Sequence, residues 1–159
     1  MINSNYREEQ RMRQWWLWTL LLVIAGGALY TFISQILYGN PVGDHPMPDY
    51  GVYLLLIFSY ALVFLFLKLK LVTEIDSNGI QMQYIPFLKR SYDWEDIDST
   101  EIVSYGFVGY GIRYSFKYGT VYNTSGNIGL AVNLKNGKRF IIGTQRADEI
   151  EALIEKYTK

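Results

Sequence analysis

The sequence predicts a chain in two parts, a pair of membrane-spanning helices followed by a small α+β domain. Two long apolar stretches in the first half contain no charged residue, which is typical of helices that cross a bilayer. The second half alternates apolar and polar residues between glycine-containing turns, which is typical of antiparallel strands. The last residues change to the spacing of an amphipathic helix. We therefore expect two helices, about seven antiparallel strands and a closing C-terminal helix.

The composition excludes several classes of function. The 159 residues carry 15 basic and 15 acidic side chains, so no net charge favours nucleic acid as a partner. The chain contains no cysteine, which excludes disulfides, thiolate nucleophiles and cysteine-ligated metals. Its single histidine, His45, excludes a multi-histidine metal site. We expect no cofactor and no catalytic residue, and a protein that is not an enzyme.

The first span is predicted at residues 15–38 and the second at residues 50–67. As helices they would be about 36 Å and about 27 Å long, and the hydrocarbon layer of a bilayer is about 30 Å thick. Tryptophan and tyrosine mark the ends of the spans, as they do at headgroup depth: Trp15, Trp16, Trp18, Tyr38, Tyr50 and Tyr53. Neither span contains Asp, Glu, Lys, Arg or His, which argues against a self-contained pump or transporter.

Basic residues flank the spans but are missing from the loop that connects them. The flanking residues are Arg7, Arg11, Arg13, Lys68 and Lys70. They lie in the N-terminal segment 1–14 and directly after the second span, whereas the loop 39–49 contains no lysine or arginine. Because cytoplasmic segments carry the excess of these residues, we expect both termini in the cytoplasm and the loop on the far side.

Residues 71–159 have the periodicity of half-buried strands. In one run, the residues expected on the buried face are Ile112, Tyr114, Phe116 and Tyr118. The pairs Asn78-Gly79 and Asn136-Gly137 separate apolar runs and predict type I′ hairpin turns. Near the C-terminus, the apolar residues spaced along one helical face are Ile150, Leu153, Ile154 and Tyr157. We expect this helix to cover the exposed end of the sheet.

Several short motifs follow one another in the order seen in one bacterial family. They are Gly109-Tyr110-Gly111-Ile112-Arg113, Tyr122-Asn123-x-Ser125-Gly126, Asn136-Gly137-Lys138, Gly143-Thr144-Gln145 before a helix, and the mid-domain Tyr92-x-Trp94-x-x-Ile97. Residues 15–159 thereby resemble bacterial pleckstrin-homology-like (PH-like) membrane proteins with two N-terminal transmembrane helices. The resemblance implies a cytoplasmic PH-like domain at residues 71–159 on a protein of the bacterial inner membrane. It implies no activity, because the family is mostly uncharacterised.

The leading hypothesis is a non-enzymatic, membrane-anchored binding module. Its candidate partner-binding residues are Tyr105, Phe107 and Tyr110, which lie in a glycine-rich stretch with no strict strand period. The partner would be another membrane protein or a second copy of the chain. The alternative, that these aromatic residues belong to the core, stays open.

The second hypothesis is an accessory domain that contacts lipid at the inner leaflet. The candidate headgroup residues are Arg11, Arg13, Lys68, Lys70, Lys89 and Arg90. A further basic group is Lys138-Arg139 with Lys135. The first hairpin, residues 74–81, is acidic, so the phosphoinositide site of many PH domains is not supported here.

The third hypothesis, a metal-dependent membrane enzyme, rests on a single sequence feature. Four carboxylates surround Trp94, namely Asp93, Glu95, Asp96 and Asp98. Their spacing does not match the calcium loop of an EF-hand. A solvated turn that contains a structural tryptophan is the preferred interpretation.

Overall fold

The computed structural model describes residues 6–106 and 109–157, and the chain forms two compact units. One unit is residues 13–68 and contains two long helices. The other combines residues 6–12 with residues 69–157 and contains nine described strands in two sheets and one helix. The predictions of two long apolar helices, a sheet domain and a C-terminal helix are confirmed. The described strands do not close into a barrel.

The helical unit consists of α1 (Trp15–Phe32), which continues into a π-helical turn at Ile33–Leu37, and α2 (Asp49–Lys68). Both helices are long and apolar enough to cross a membrane. The buried side chains of the two helices are few and mostly small: Leu21, Ala25, Ala28, Val52 and Ser59. The hydroxyls of Thr19, Thr31 and Ser59 each donate to the carbonyl four residues earlier, which satisfies them within the helix.

The first sheet has four antiparallel strands in the order β1-β2-β3-β4. Their bounds are β1 Tyr6–Arg11, β2 Lys70–Ile75, β3 Gly79–Ile85 and β4 Leu88–Asp93. The sequence predicts an N-terminal segment 1–14 separate from a domain that starts at residue 71. The structure corrects this boundary, because β1 is part of the first sheet, with Tyr6 paired with Ile75 and Arg11 with Lys70. The β unit therefore has one strand on each side of the helices in sequence.

The second sheet has five strands in the order β5-β8-β9-β7-β6. Their bounds are β5 Ile97–Ser104, β6 Gly111–Ser115, β7 Gly119–Asn123, β8 Ile128–Leu134 and β9 Arg139–Gly143. The expectation of a purely antiparallel sheet is wrong at one pair, because β7 and β9 are parallel, with Thr120 opposite Phe140. The β8–β9 hairpin lies between β5 and β7, so β7 pairs with β9 and not with β8, its neighbour in sequence.

Both Asn-Gly hairpins are present, but neither turn is type I′. A type I′ turn needs positive φ at both central residues, and within the described residues only glycines have positive φ. Between β2 and β3, Asp76 Oδ1 accepts hydrogen bonds from the backbone N–H groups of Asn78 (2.8 Å) and Gly79 (3.1 Å). Between β8 and β9, Gly137 has φ 82° and its N–H donates to the Leu134 carbonyl, as in a three-residue turn that ends in a glycine bulge.

The C-terminal helix α3 (Ala147–Tyr157) packs against β5 and β8. Ile150 and Ile154 are buried, whereas Leu153 is only half-buried. The Tyr157 ring stacks on Trp94 with ring centroids 5.6 Å apart. The two sheets face each other, since Tyr92 of β4 stacks on Phe140 of β9 at 4.6 Å. The helix thus covers part of a core to which both sheets contribute.

Candidate functional site

The predicted partner-binding stretch is divided by the fold. Tyr105 is 6% exposed and packs with Val121 and Ile141, so its proposed role as a surface anchor is wrong. Its backbone N–H donates to the Asn127 carbonyl, which extends the pairing beyond β5 and turns the ring inward. Burial raises the pKa of its phenol. Phe107 lies outside the described residues, and Tyr110 is half-buried, with its carbonyl accepting a hydrogen bond from Arg113 Nε.

Two exposed aromatic side chains of the β unit lie together on the β6–β7 hairpin. Tyr114 is 72% exposed and Phe116 is 92% exposed, and their rings meet edge to face at 5.7 Å. The expected buried face of this run is therefore wrong for Ile112, Tyr114 and Phe116. Strand β6 is an edge strand of the five-stranded sheet, and its residues on both faces keep much of their surface exposed. The alternation identified a strand but did not show that neither of its faces would be fully covered.

Three of the predicted headgroup residues, Arg11, Lys70 and Lys89, lie at one end of the four-stranded sheet. In the sheet, Arg11 of β1 is opposite Lys70 of β2, and Lys70 is opposite Ile85 at the end of β3. The turn from β3 to β4 follows Ile85, and in this region Phe87 is 60% exposed and Lys89 is also exposed. We call Arg11, Lys70, Phe87 and Lys89 the basic sheet end. Both chain connections to the helices leave the β unit here, at Met12 and at Leu69.

One carboxylate offsets part of this positive charge. Glu9 accepts hydrogen bonds from Lys70 Nζ at 2.8 Å and from Arg11 Nη2 at 2.8 Å. The hydrogen bond from Lys70, followed by that from Arg11, lowers the pKa of the Glu9 carboxyl. Two cations therefore share one anion, and the basic sheet end keeps a net positive charge that Lys89 increases.

Arg13 and Lys68, the remaining flanking residues, belong to the helical unit. Arg13 is exposed, and the ammonium group of Lys68 lies over the Phe64 ring, 5.4 Å from its centroid. A lysine at the end of an apolar helix can reach the interface with its charged group while its stem stays in apolar surroundings.

Arg90 is separated from Lys89 because neighbouring residues of a strand point to opposite faces. Arg90 lines a groove of about 470 Å³ together with Lys138 and Arg139, which come from the β8–β9 turn and β9. We call this the inter-sheet groove. The fold therefore brings Arg90 of one predicted basic pair to the same cavity as Lys138 and Arg139 of the other basic group, which is far away in sequence.

The wall of the inter-sheet groove is aromatic. Tyr92 stacks on Phe140, and Tyr122 meets Phe140 edge to face at 6.4 Å. Burial raises the pKa of the Tyr92 phenol, the nearby Tyr122 raises it further, and the positive charge of Arg90 opposes the shift. The Arg90 guanidinium is therefore close enough to the Tyr92 phenol, in the aromatic part of the groove, to influence its pKa.

The acidic cluster forms a surface turn. Its carboxylates at positions 93, 95, 96 and 98 are on exposed residues. Trp94 is half-buried, donates from its indole N–H to the Asp76 carbonyl at 3.0 Å, and stacks on α3. The tryptophan of this segment joins the β2–β3 turn to the last helix.

A buried carboxylate in β1 was not among the predicted residues. Glu8 is 6% exposed and accepts hydrogen bonds from the Tyr6 hydroxyl (2.6 Å), the Thr144 hydroxyl (2.7 Å) and the Gln145 N–H (2.9 Å). Thr144 Oγ1 also accepts from the Arg146 N–H, as a helix cap does at the start of α3. The period-two pattern in residues 6–11 could have revealed the strand, but its inward residues are mostly polar and give no hydrophobic signal.

Comparison with known proteins assigns the chain to no family. No protein-family model matches the sequence, and no curated protein matches it.

Proposed function

We propose that the protein is a non-enzymatic, membrane-anchored binding module whose β unit is PH-like. In this proposal, α1 and α2 cross the bacterial cytoplasmic membrane, and both termini are in the cytoplasm. The β unit acts as an accessory domain that contacts anionic lipid headgroups through the basic sheet end. The pairing of β1 with β2 carries the proposal.

The β1–β2 pairing supports the placement of both ends on one side of the membrane. Strand β1 precedes α1 and β2 follows α2, and six residue pairs join the two strands, from Tyr6–Ile75 to Arg11–Lys70. Two strands can form such a ladder only within one compartment. An even number of crossings between them meets this condition, and the basic residues that flank the spans favour the cytoplasmic side.

The same pairing supports headgroup contact. The connections at Met12 and Leu69 leave beside Arg11 and Lys70, so a membrane anchor confines these cations to the bilayer surface. Each basic residue near an anionic leaflet contributes about 1 kcal/mol of attraction. Phe87, exposed in the turn before Lys89, adds an aromatic side chain of the kind that is favourable at the interface.

Single-cysteine variants test the proposal, because the natural chain has no cysteine to remove. In intact cells, Asp44→Cys should react with an impermeant thiol reagent and Asn136→Cys should react only after the cells are opened. The reverse pattern would exclude the orientation.

Headgroup contact is tested in nanodiscs with an environment-sensitive fluorophore on Phe87→Cys. Its emission should shift to the blue when anionic lipid replaces neutral lipid, and Lys89→Gln should reduce the shift. The matched control is Ser77→Cys, an exposed position in the β2–β3 turn at the other end of the same sheet. Equal responses at positions 77 and 87 would contradict the proposed role of the basic sheet end.

The exposed rings of Tyr114 and Phe116 favour a second candidate function, contact with a membrane protein or a second copy of the chain. Contiguous exposed aromatic residues are typical of protein interfaces. In the same set of variants, Phe116→Cys in native membranes should give a disulfide-linked dimer on mild oxidation if the partner is a second copy. Ser77→Cys should give none.

A further inference from the structure

The inter-sheet groove is separate from the basic sheet end and has a different chemistry. Its charged residues reach it from both sheets, Arg90 from β4 and Lys138 and Arg139 from the β8–β9 hairpin. The lining residues, all within the described part of the chain, include no aspartate or glutamate. The groove is therefore a local concentration of positive charge in a chain whose net charge is zero.

Arg90 and Lys138 are available to a ligand. Among the described residues, none of the ion pairs involves Arg90, Lys138 or Arg139. Arg139 also borders the groove, but its Nη2 donates to the Phe116 carbonyl at 3.3 Å, which directs its guanidinium towards the β6–β7 turn. Arginine side chains with free donors match the geometry of phosphate and carboxylate oxygens.

The groove also has the size and walls of a small-molecule site. Its volume of about 470 Å³ lies within the range of about 300–1,000 Å³ that is usual for such sites. Inorganic phosphate would leave most of this space empty. Tyr92, Tyr122 and Phe140 provide an apolar wall, and Tyr114 also lines the groove with its ring largely exposed to solvent.

We propose that the inter-sheet groove binds a phosphate ester with an organic body, with Arg90 and Lys138 holding the phosphate and the aromatic wall contacting the body. The phosphate ester is either a free small molecule or the headgroup of a lipid, which share this chemistry. The proposal goes beyond headgroup contact at the sheet end, because the groove uses other residues and would bind its ligand without that contact.

The test uses the full chain in nanodiscs of neutral phosphatidylcholine. In the first arm, glycerol 3-phosphate and adenosine 5′-monophosphate are titrated by calorimetry, and hydrogen exchange of the β8–β9 turn is measured with and without each ester. In the second arm, phosphatidic acid replaces part of the neutral lipid, and the same exchange is measured. Binding with Kd below about 1 mM in the first arm identifies a free ester, and slower exchange in the second arm alone identifies a lipid headgroup.

Charge variants decide whether the groove is responsible. The double variant Arg90→Gln/Lys138→Gln should weaken binding about tenfold or more, because hydrogen bonds to charged groups are the strong ones. Lys135→Gln is the matched control, since it removes an exposed cation from the same hairpin but not from the groove. All three substituted residues are exposed, so the variants should keep their thermal stability.

The proposal is overturned if both arms show no binding, or if the double variant binds as tightly as the natural chain or the Lys135 control. Its failure is distinguishable from failure of the proposed function. Lys89→Gln should reduce the fluorophore response at position 87 and leave ester binding unchanged, whereas the groove variants should do the opposite.

Discussion

In the helical unit the large apolar side chains point outward, whereas in the β unit most of them point inward. Leu22, Val23 and Ile57 are more than 60% exposed on the helices, while Leu71, Ile80 and Ile141 of the strands are fully buried. A helix pair that buries little except small residues cannot hold its apolar surface in water. Under the proposed function, exposure therefore has two meanings in one chain, contact with lipid in the helical unit and contact with water in the β unit.

The two units also satisfy their polar groups in different ways. The helix hydroxyls of Thr19 and Thr31 donate to their own backbone, at a separation of four residues. In the β unit the partners are distant in sequence, because Gln10 Nε2 donates to the Gly143 carbonyl at 2.7 Å and Gln10 Oε1 accepts from Thr124 at 3.1 Å. Local hydrogen bonds suit a segment in lipid, which has no water to replace a lost partner. Distant ones make the β unit cooperative.

The largest effect should follow from a charge placed inside the β unit. Ile150→Asp puts a carboxylate where the side chain is 1% exposed, with an expected loss of about 3–5 kcal/mol in the free energy of unfolding. Ala152→Asp adds the same charge at an exposed position of α3 and should lose little. Hydrogen exchange of β5 and β8 peptides in the full chain measures both. Equal protection in the two variants would show that α3 does not stabilise the sheets.

An intermediate effect should separate the two meanings of exposure. Ile57, near the middle of α2, is 65% exposed, and Ile57→Asp should cost about 2.5–3.5 kcal/mol in membrane insertion. Phe116 is more exposed still, yet Phe116→Asp should change stability by no more than about 0.5 kcal/mol. The fraction of each variant that resists alkaline extraction from membranes gives the comparison. If Ile57→Asp is extracted no more than Phe116→Asp, the outward face of α2 does not contact lipid.

The smallest effect concerns pH. Burial raises the pKa of Tyr84 to about 12, and its hydroxyl donates to the Asn123 carbonyl. A folded-state pKa above the unfolded value of 10.0 contributes stability that is present below pH 10 and is lost as pH rises through about 12. The β unit should therefore lose stability on alkaline titration. Tyr84→Phe should flatten this dependence, as followed by tyrosinate absorbance and denaturant midpoints. An unchanged slope would assign the alkaline loss to other groups.

The sequence predicts those elements whose signal is local. The absence of charge over residues 15–38 and 50–67 is such a signal, and so are the glycine turns that join β2 to β3 and β8 to β9. Strand β1 was not predicted because its inward residues are mostly polar. Tyr6, Glu8 and Gln10 are buried with hydrogen-bond partners and do not form an apolar face that the sequence would reveal.

The candidate sites are less predictable, because burial and proximity depend on how strands pair. Tyr105 and Phe116 are both aromatic residues in β-rich segments, yet one is in the core and the other almost fully exposed. Their difference comes from their surroundings, since Tyr105 follows β5 and packs with Val121 and Ile141, whereas Phe116 lies in the turn between β6 and β7. The inter-sheet groove could not be predicted for a similar reason. Arg90 and Lys138 come to the same cavity only because the two sheets face each other, and the sequence does not show that arrangement.

The place of β1 in the chain sets an order for biogenesis. The ribosome completes β1 before either helix exists, and the partner strand β2 follows only after both helices have been made. The hydrogen-bond donors of Glu8 are made even later, because Thr144 and Gln145 belong to the last part of the chain. Until β2 has been made, β1 lacks the strand with which it pairs. In the proposed topology, docking of β1 is therefore a late event in assembly, and only a chain whose two spans have returned both ends to one compartment can complete it.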